Sequence, residues 1–469
     1  MSDPFLRAHK HASKLYSLAS RTPLSIRDQV FRAQTLIERL LSTQTLRAGD
    51  ELLVVGAGAA GASIAVIAAR CGVKVTAVDT NPHAFALQRA CTTRWVDPVQ
   101  YDWPLAHASR GSWPANHPSH AVPFGFAADY ASSIAHQWAS RLNVERLSPN
   151  LVVEFQTRLE KLPKPSAVTS GKLDATTELA GHPAQTRQFD VVVLAVGMAS
   201  ERTDVPFHAP SVKGNPHFRG IPFWMKDDFE LSTFGLSSSP ARPILVTGGG
   251  DGALQDYIRL MTGNRSAMEL LQKVFLAASW TPGRQRHELL EIQDAEHEVE
   301  RAFQWNEQPV QDHKRLSALQ QLHLATIAHW MSLPTWGAMA GALASQTAGR
   351  PVDKVLLLHS CDHLPNCYPL NRFVALLVAT FVHSRHGQKS MLGGLRLRAA
   401  RPVSGSPHTC GLGCWGHPHE VELEHAPTCF GPVSTASPHR VVDGLVVRHG
   451  INKHSSASWI RHILPRDIV

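Results

Sequence analysis

No run of 18 apolar residues occurs in the chain. The most apolar stretch, Phe373 to Val382 (FVALLVATFV), has about half the length that crosses a bilayer as a helix. The N-terminus, MSDPFLRAHKHASKLYS, lacks the apolar core of a secretory signal. No block of five or six basic residues marks a nucleic-acid-binding arm. Cysteine is scarce and odd in number, with seven residues at positions 71, 91, 361, 367, 410, 414 and 429. Without an export signal these read as reduced thiols or metal ligands rather than a disulfide framework. Together the absences predict a soluble, cytoplasmic protein that contacts neither membrane nor nucleic acid.

What is present is enough for a large core. The chain has 469 residues, 43% of them hydrophobic and 18% charged, which suits two or more domains and needs no disulfide or metal to fold. Its 32 glycines and 31 prolines are too few and too dispersed for a low-complexity or collagen-like chain. The net charge of +8 is spread along the sequence and suits anionic small ligands and generic solubility equally well.

Apolar residues at helical spacing over 24–46 (Ile26, Val30, Ala33, Ile37, Leu40, Leu41) predict an amphipathic helix. A βαβ unit follows: strand Glu51–Val55, turn Gly56–Gly61, helix Ala62–Arg70, and strand Val73–Val78 ending on Asp79. Residues 104–128 read as a loop and 162–187 as an irregular polar excursion, with strands expected at Leu151–Phe155 and Phe189–Gly197. Pro243–Thr247 feeds a second turn, Gly248-Gly249-Gly250-Asp251-Gly252-Ala253, and a helix over 254–261. Helices are expected from 267 to 344, then a strand at Lys354–Leu358 and a helix over 371–382. Residues 401–450 are rich in Gly, Pro, His and Cys. No fixed-period repeat is present, but two strand-led glycine turns suggest two related halves.

The first turn carries the strongest chemical signal. Gly56 permits a tight turn, Gly58 lets backbone approach a diphosphate, and Gly61 lets helix pack on strand; Ala57 and Ala60 complete the loop. Amide groups at the start of the helix then face the phosphates with a favourable dipole. Asp79, 18 residues after Gly61, is placed to accept hydrogen bonds from a ribose. A carboxylate there repels a 2′-phosphate, so FAD or NAD fits better than NADP. The second turn has Ala253 where the fingerprint ends in glycine, a change pyridine-nucleotide sites tolerate, although a turn kept only for the fold is the competing reading.

Gly56–Gly61 with Asp79, FDVVVLAVG at 189–197 and TGGGDGA at 247–253 together resemble the two-dinucleotide-binding-domain flavoproteins. That group includes thioredoxin-reductase-like enzymes and flavin-dependent monooxygenases. The resemblance implies an α/β, Rossmann-like fold with FAD on the first turn and NAD(P)H at Gly248, Gly250 and Asp251. It implies Ala195-Val196-Gly197 as the segment returning beside the first turn, and Asp443–Gly450 as a closing strand that brings Arg448 and His449 to the flavin. The domains expected are a helical segment 1–49, an FAD-binding domain 50–205 with a C-terminal return 400–469, and a second domain 206–399 carrying the helical insertion 267–344 and followed by an irregular C-terminal segment. Three departures stand out. Residues 221–247 contain no cysteine, which argues against disulfide reduction; Asp79 stands where such FAD sites more often have Glu; and Arg448-His449-Gly450 replaces the usual Ala-Thr-Gly.

Other constellations have a functional and a plain reading. Arg94 and Tyr101, following the first βαβ unit, have the chemistry to bind an anionic group and a planar ring, or simply pack a Pro-rich loop. His359 and Cys361 sit at a carboxyl strand end, where α/β folds place ligands. Cys410, Cys414 and Cys429 with nearby histidines supply enough soft ligands for zinc, but their spacing matches no common module, so no metal is assigned. The helical insertion reads as a lid or dimer surface, which leaves homo-oligomerisation open. The expected function is an FAD-dependent oxidoreductase reduced by NAD(P)H and acting on a small organic molecule, with His449 as acid or base and monooxygenation favoured over disulfide chemistry. The alternatives are an NAD-dependent dehydrogenase and a non-catalytic dinucleotide-binding sensor or assembly protein.

Overall fold

A computed structural model describes residues 3–18, 25–97, 123–162, 171–197, 201–206, 217–230, 242–303, 309–365, 367–403, 418–426 and 439–450. The chain divides into two compact units, the first built from residues up to Arg94 and from 109 to 200, the second mainly from Glu201–Gly450.

The first unit is an α/β domain on a parallel sheet. Its strands run in the order Leu151–Glu154, Lys74–Val78, Glu51–Val55, Val191–Leu194 and Leu15–Ser17, with Lys10–Ala12 antiparallel at the edge. The central strands are apolar on both faces because both are covered, by the helix Ala59–Arg70 and by an antiparallel sheet whose Leu159, Leu173, Ala175 and Phe189 pack on Leu53, Val55, Val192 and Leu194: Leu52, Leu53, Val54 and Val191–Leu194 are fully buried. The helix Ala59–Arg70 is almost entirely buried apart from Arg70, which is why Ala and Gly fill it, and Gly72 at φ +81° ends it. Against it packs the helix Ile26–Ser42, whose buried stripe is Ile26, Val30, Ala33, Ile37 and Leu40. Ser25 caps that helix by accepting the Asp28 N–H at 3.1 Å. The stretch read as irregular is an antiparallel sheet of Thr157–Lys161, Leu173–Leu179 and Gln185–Phe189, with Leu173, Ala175 and Thr177 buried on one face.

The second unit repeats this plan. Its parallel sheet has the order Met391–Gly393, Val355–His359, Ile244–Thr247 and Gly444–Val447. An antiparallel sheet of Leu395–Pro402, His419–His425 and His439–Val442 precedes the last of these strands. In both units the strand before the glycine turn lies between the next strand in sequence and a strand returning from an antiparallel excursion. Even the start of the return is shared: Asp190 accepts the Glu51 N–H, and Asp443 the Arg242 N–H, each at 2.9 Å. Helices Ala267–Ala277, Pro282–Phe303, Pro309–Ser332 and Trp336–Thr347 form the expected insertion.

Two expectations about domain layout are corrected. The strand Gly444–Val447 pairs with Ile244–Thr247 in the second unit, so the closing strand does not return to the first. The C-terminal segment is accordingly sheet in its described parts. Residues 1–49 are not a separate helical segment either, because Leu15–Ser17 extends the first unit's sheet beside Val192–Leu194.

The insertion packs through an aromatic cluster. Trp330 lies edge-on to Phe275, Trp280 and Phe373 with ring centroids 5.8, 5.2 and 4.9 Å away, and its Nε1 donates to Glu288 at 3.0 Å. Trp330→Ala opens a large void in a fully buried site and is expected to lower the unfolding free energy by about 3–5 kcal/mol, measured by denaturant titration.

Candidate functional site

The first glycine turn is assembled by close backbone approaches. Gly56 has φ +106°, and a Cβ on it would lie 2.4 Å from the Ala195 carbonyl oxygen. A Cβ on Gly61 would lie 1.8 Å from the Gly56 carbonyl oxygen, so the helix begins directly over the end of the strand. Gly58 is different. It is the N-cap, in extended conformation, with no side chain capping the helix and nothing within 4 Å of an added Cβ. The first-turn amides of Ala59, Ala60 and Gly61 have no partner within the helix. A diphosphate fits this open seat by charge and by geometry. Ala57 is buried below it, while Gly197, at φ +79°, is exposed beyond the end of the return strand.

Asp79 stands at the end of the second strand, as expected, and much of its capacity is already used. One carboxylate oxygen accepts the Ala57 N–H at 2.6 Å; the other accepts the Asn81 N–H and Nδ2 at 2.8 and 2.9 Å. Three of its roughly four acceptor positions are therefore engaged, leaving one for a ribose hydroxyl. Asn81 was not singled out in the sequence, although Asp-Thr-Asn after a strand is a recognisable side-chain turn signal.

The second turn has the same frame and different chemistry. Gly248, at φ +131°, would place a Cβ 2.2 Å from the Arg448 carbonyl oxygen, and Gly250 is an extended N-cap with open space at its Cβ position. Asp251, in the first turn of the helix, accepts the Tyr368 N–H at 2.8 Å and Asn371 Nδ2 at 2.7 Å, tying the turn to the start of the helix Pro369–His386. His359 is the counterpart of Asp79: the Gly56 N–H bonds Val78 O, and the Gly248 N–H bonds Leu358 O. The His359 ring is buried, and burial pushes its pKa down to about 4.

Arg448 and His449 are the second unit's counterparts of Ala195 and Val196, one and two residues past the matching strands. Arg448 is buried and turns inward. It donates from Nε to Asp256 at 2.7 Å and from Nη1 to the Ile221 carbonyl. Asp256 also holds Arg259, which in turn pairs with Asp227 at 2.6 Å and Glu230 at 3.0 Å. No sequence pattern announced this network, since its members are scattered over 220 residues. His449 bonds the Thr247 hydroxyl through Nε2, and burial, aided by the Arg202 charge, lowers its pKa to about 4. The half-buried ring is thus held in its neutral form near pH 7, below the near-neutral titration expected of a free imidazole. Arg94 is a buried residue of the first unit, 1% exposed, and its carbonyl accepts the Ala131 N–H at 2.8 Å. Tyr101, Cys410, Cys414 and Cys429 lie outside the described residues. Among the described residues no cluster of three His, Cys, Asp or Glu forms a metal site, and no helix is long and apolar enough to cross a membrane.

No protein-family model and no curated protein matches the chain. Solved structures similar in backbone course include a thioredoxin reductase of T. acidophilum, at 13% identity and TM-score 0.36 over 87% of this chain and 78% of that one. A bacillithiol disulfide reductase of Bacillus cereus matches at 10% identity and TM-score 0.40, over 88% and 81%. An ornithine N-hydroxylase of Kutzneria sp. 744 matches at 11% identity and TM-score 0.35, over 89% and 83%.

Two outcomes follow from this geometry. Arg448→Met leaves buried Asp256 with Arg259 as its remaining cation and is expected to cost about 3 kcal/mol in denaturant titration. His359 and His449 take up protons more readily unfolded than folded, so stability is expected to fall as pH drops from about 6.5 towards 4. His359→Gln should flatten that slope; an unchanged slope would contradict the burial argument.

Proposed function

We propose that the protein is an FAD-dependent oxidoreductase, with FAD on the first glycine turn and NAD(P)H on the second, acting on a small organic molecule. The observation that carries this reading is the open, uncapped seat at Gly58 with Asp79 beside it. In this reading the amides of Ala59, Ala60 and Gly61 bind the FAD diphosphate, Gly56 and Gly197 allow the backbone to turn around it, and Asp79 accepts one ribose hydroxyl. Gly248 and Gly250 provide the equivalent seat for the nicotinamide dinucleotide. Asp251 holds that turn in place through Tyr368 and Asn371 rather than touching phosphate, which it would repel. FAD, when bound, supplies the hydride-accepting ring that no side chain offers.

The acid–base part of the reading changes with the burial of the two candidates. Arg448 supports the second turn from beneath through Asp256, and neutral His449 orients a hydrogen bond at the end of its strand. Arg94 and His359 are too enclosed to meet a substrate by surface contact, so they act as support for the first unit and for the second turn respectively. Monooxygenation is the finer reading, favoured by the lack of cysteine in residues 221–247.

Purified protein is expected to be yellow and to bleach when NADH or NADPH is added without oxygen. Gly58→Leu should leave the fold of the flavin-free protein intact, because an added Cβ meets open space, while flavin retention and the stability that bound flavin adds are lost. A colourless protein that takes up no FAD would overturn the proposal. One that holds only a nicotinamide nucleotide would indicate a dehydrogenase, and a yellow one that never bleaches a non-catalytic binding protein.

A further inference from the structure

The first unit's sheet does not end at the return strand. Leu15–Ser17 lies parallel to Val192–Leu194 on the side away from the glycine turn, and the Leu18 N–H continues the ladder to Leu194 O at 3.0 Å. Four parallel strands thus present their carboxyl ends in one row: Val78 leading to Asp79, Val55 to the glycine turn, Leu194 to Ala195–Gly197, and Ser17 to Leu18. From the Asp79 strand to the Ser17 strand the row spans three interstrand spacings, roughly 14 Å. A dinucleotide with its adenosine at Asp79 and its diphosphate at Gly58 has only one direction left for its other half. It crosses the point where the strand order reverses, between Glu51–Val55 and Val191–Leu194, and continues over the far strands.

We infer, on the reading that FAD occupies this seat, that its riboflavin half lies against the N-terminal hairpin, with the Ser17–Leu18 backbone as part of the cofactor site. His9 is the positioning residue for that wall. It is 6% exposed, and its Nδ1 donates to the Ser17 carbonyl at 2.9 Å, which fixes the proton on Nδ1 because a carbonyl only accepts. The ring of Phe5 packs on His9 at 4.6 Å between centroids, so the short helix Pro4–His9 is held to the strand end it supports.

The test compares FAD with ADP, which has the adenosine and diphosphate but no riboflavin half. Apo protein, His9→Ala and a chain lacking residues 1–18 are titrated with each, and ADP binding is assigned to the first seat by its loss in Gly58→Leu. The expected result is FAD weakened by about tenfold or more in His9→Ala or in the truncated chain, with ADP affinity unchanged. Unchanged affinity for both ligands in both variants overturns the inference and leaves FAD binding intact. Loss of both ligands on truncation, with neither lost in His9→Ala, also overturns it, because the hairpin then serves folding alone. Native protein that binds neither ligand refutes the FAD reading itself, and this inference with it.

Discussion

Everything at the first site depends on Gly61 having no side chain. Its α-carbon sits over the Gly56 carbonyl, where a Cβ would come within 1.8 Å of the oxygen. That contact lets the helix Ala59–Arg70 start immediately above the end of its strand, with its unpaired amides concentrated over one spot. Gly56 adds the second approach, to Ala195, so strand, helix and return strand meet within a few ångströms. Asp79 then closes the arrangement by holding the Ala57 N–H at 2.6 Å. The seat is rigid because backbone atoms build it, and it is open because Gly58 adds nothing to fill it.

The two units show how one backbone plan supports different chemistry. In the first, the return strand leaves through Ala195-Val196-Gly197, small residues that keep the strand end uncrowded. In the second, Arg448-His449-Gly450 occupies the matching positions. Arg448 does not project outward but joins a buried alternation of charges through Asp256, Arg259, Asp227 and Glu230. Such a network adds little net stability over apolar packing, yet it is costly to break at any one point. Its effect is to fix the segment around Asp227 to the helix that starts at the second turn. At the strand end a carboxylate in one unit is replaced by a buried, neutral imidazole in the other, so the two turns carry different charge beside them.

Much of the first βαβ unit was legible from residues alone. Glu51–Val55 is a strand and Lys74–Val78 begins one residue after the expected Val73, because an apolar run between a turn and glycines leaves little alternative. The stripe from Ile26 to Leu40 marked its helix for the same reason. The destination of Gly444–Val447 was not legible: its apolar sequence fits beside either central strand, and the antiparallel excursion before it decides between them. Leu173–Leu179 was missed because its buried face uses Ala175 and Thr177 alternating with Asp174, Thr176 and Glu178, a pattern too weakly apolar to stand out. The N-terminal hairpin was missed for a related reason, since a strand of three residues carries no period. At the site, the glycines and Asp79 were readable because their roles are set by backbone geometry. The roles of Arg448 and His449 were not, because burial and partners depend on the tertiary fold.

The central claim is that a diphosphate rests on the amides that begin the helix after Val55. A crystal structure of the protein grown with FAD tests it most directly. Phosphate density is expected within hydrogen-bonding distance of the Ala59, Ala60 and Gly61 nitrogens, with the riboflavin half running towards Ser17. Phosphates bound elsewhere, with the Gly58 seat left to solvent, would contradict it.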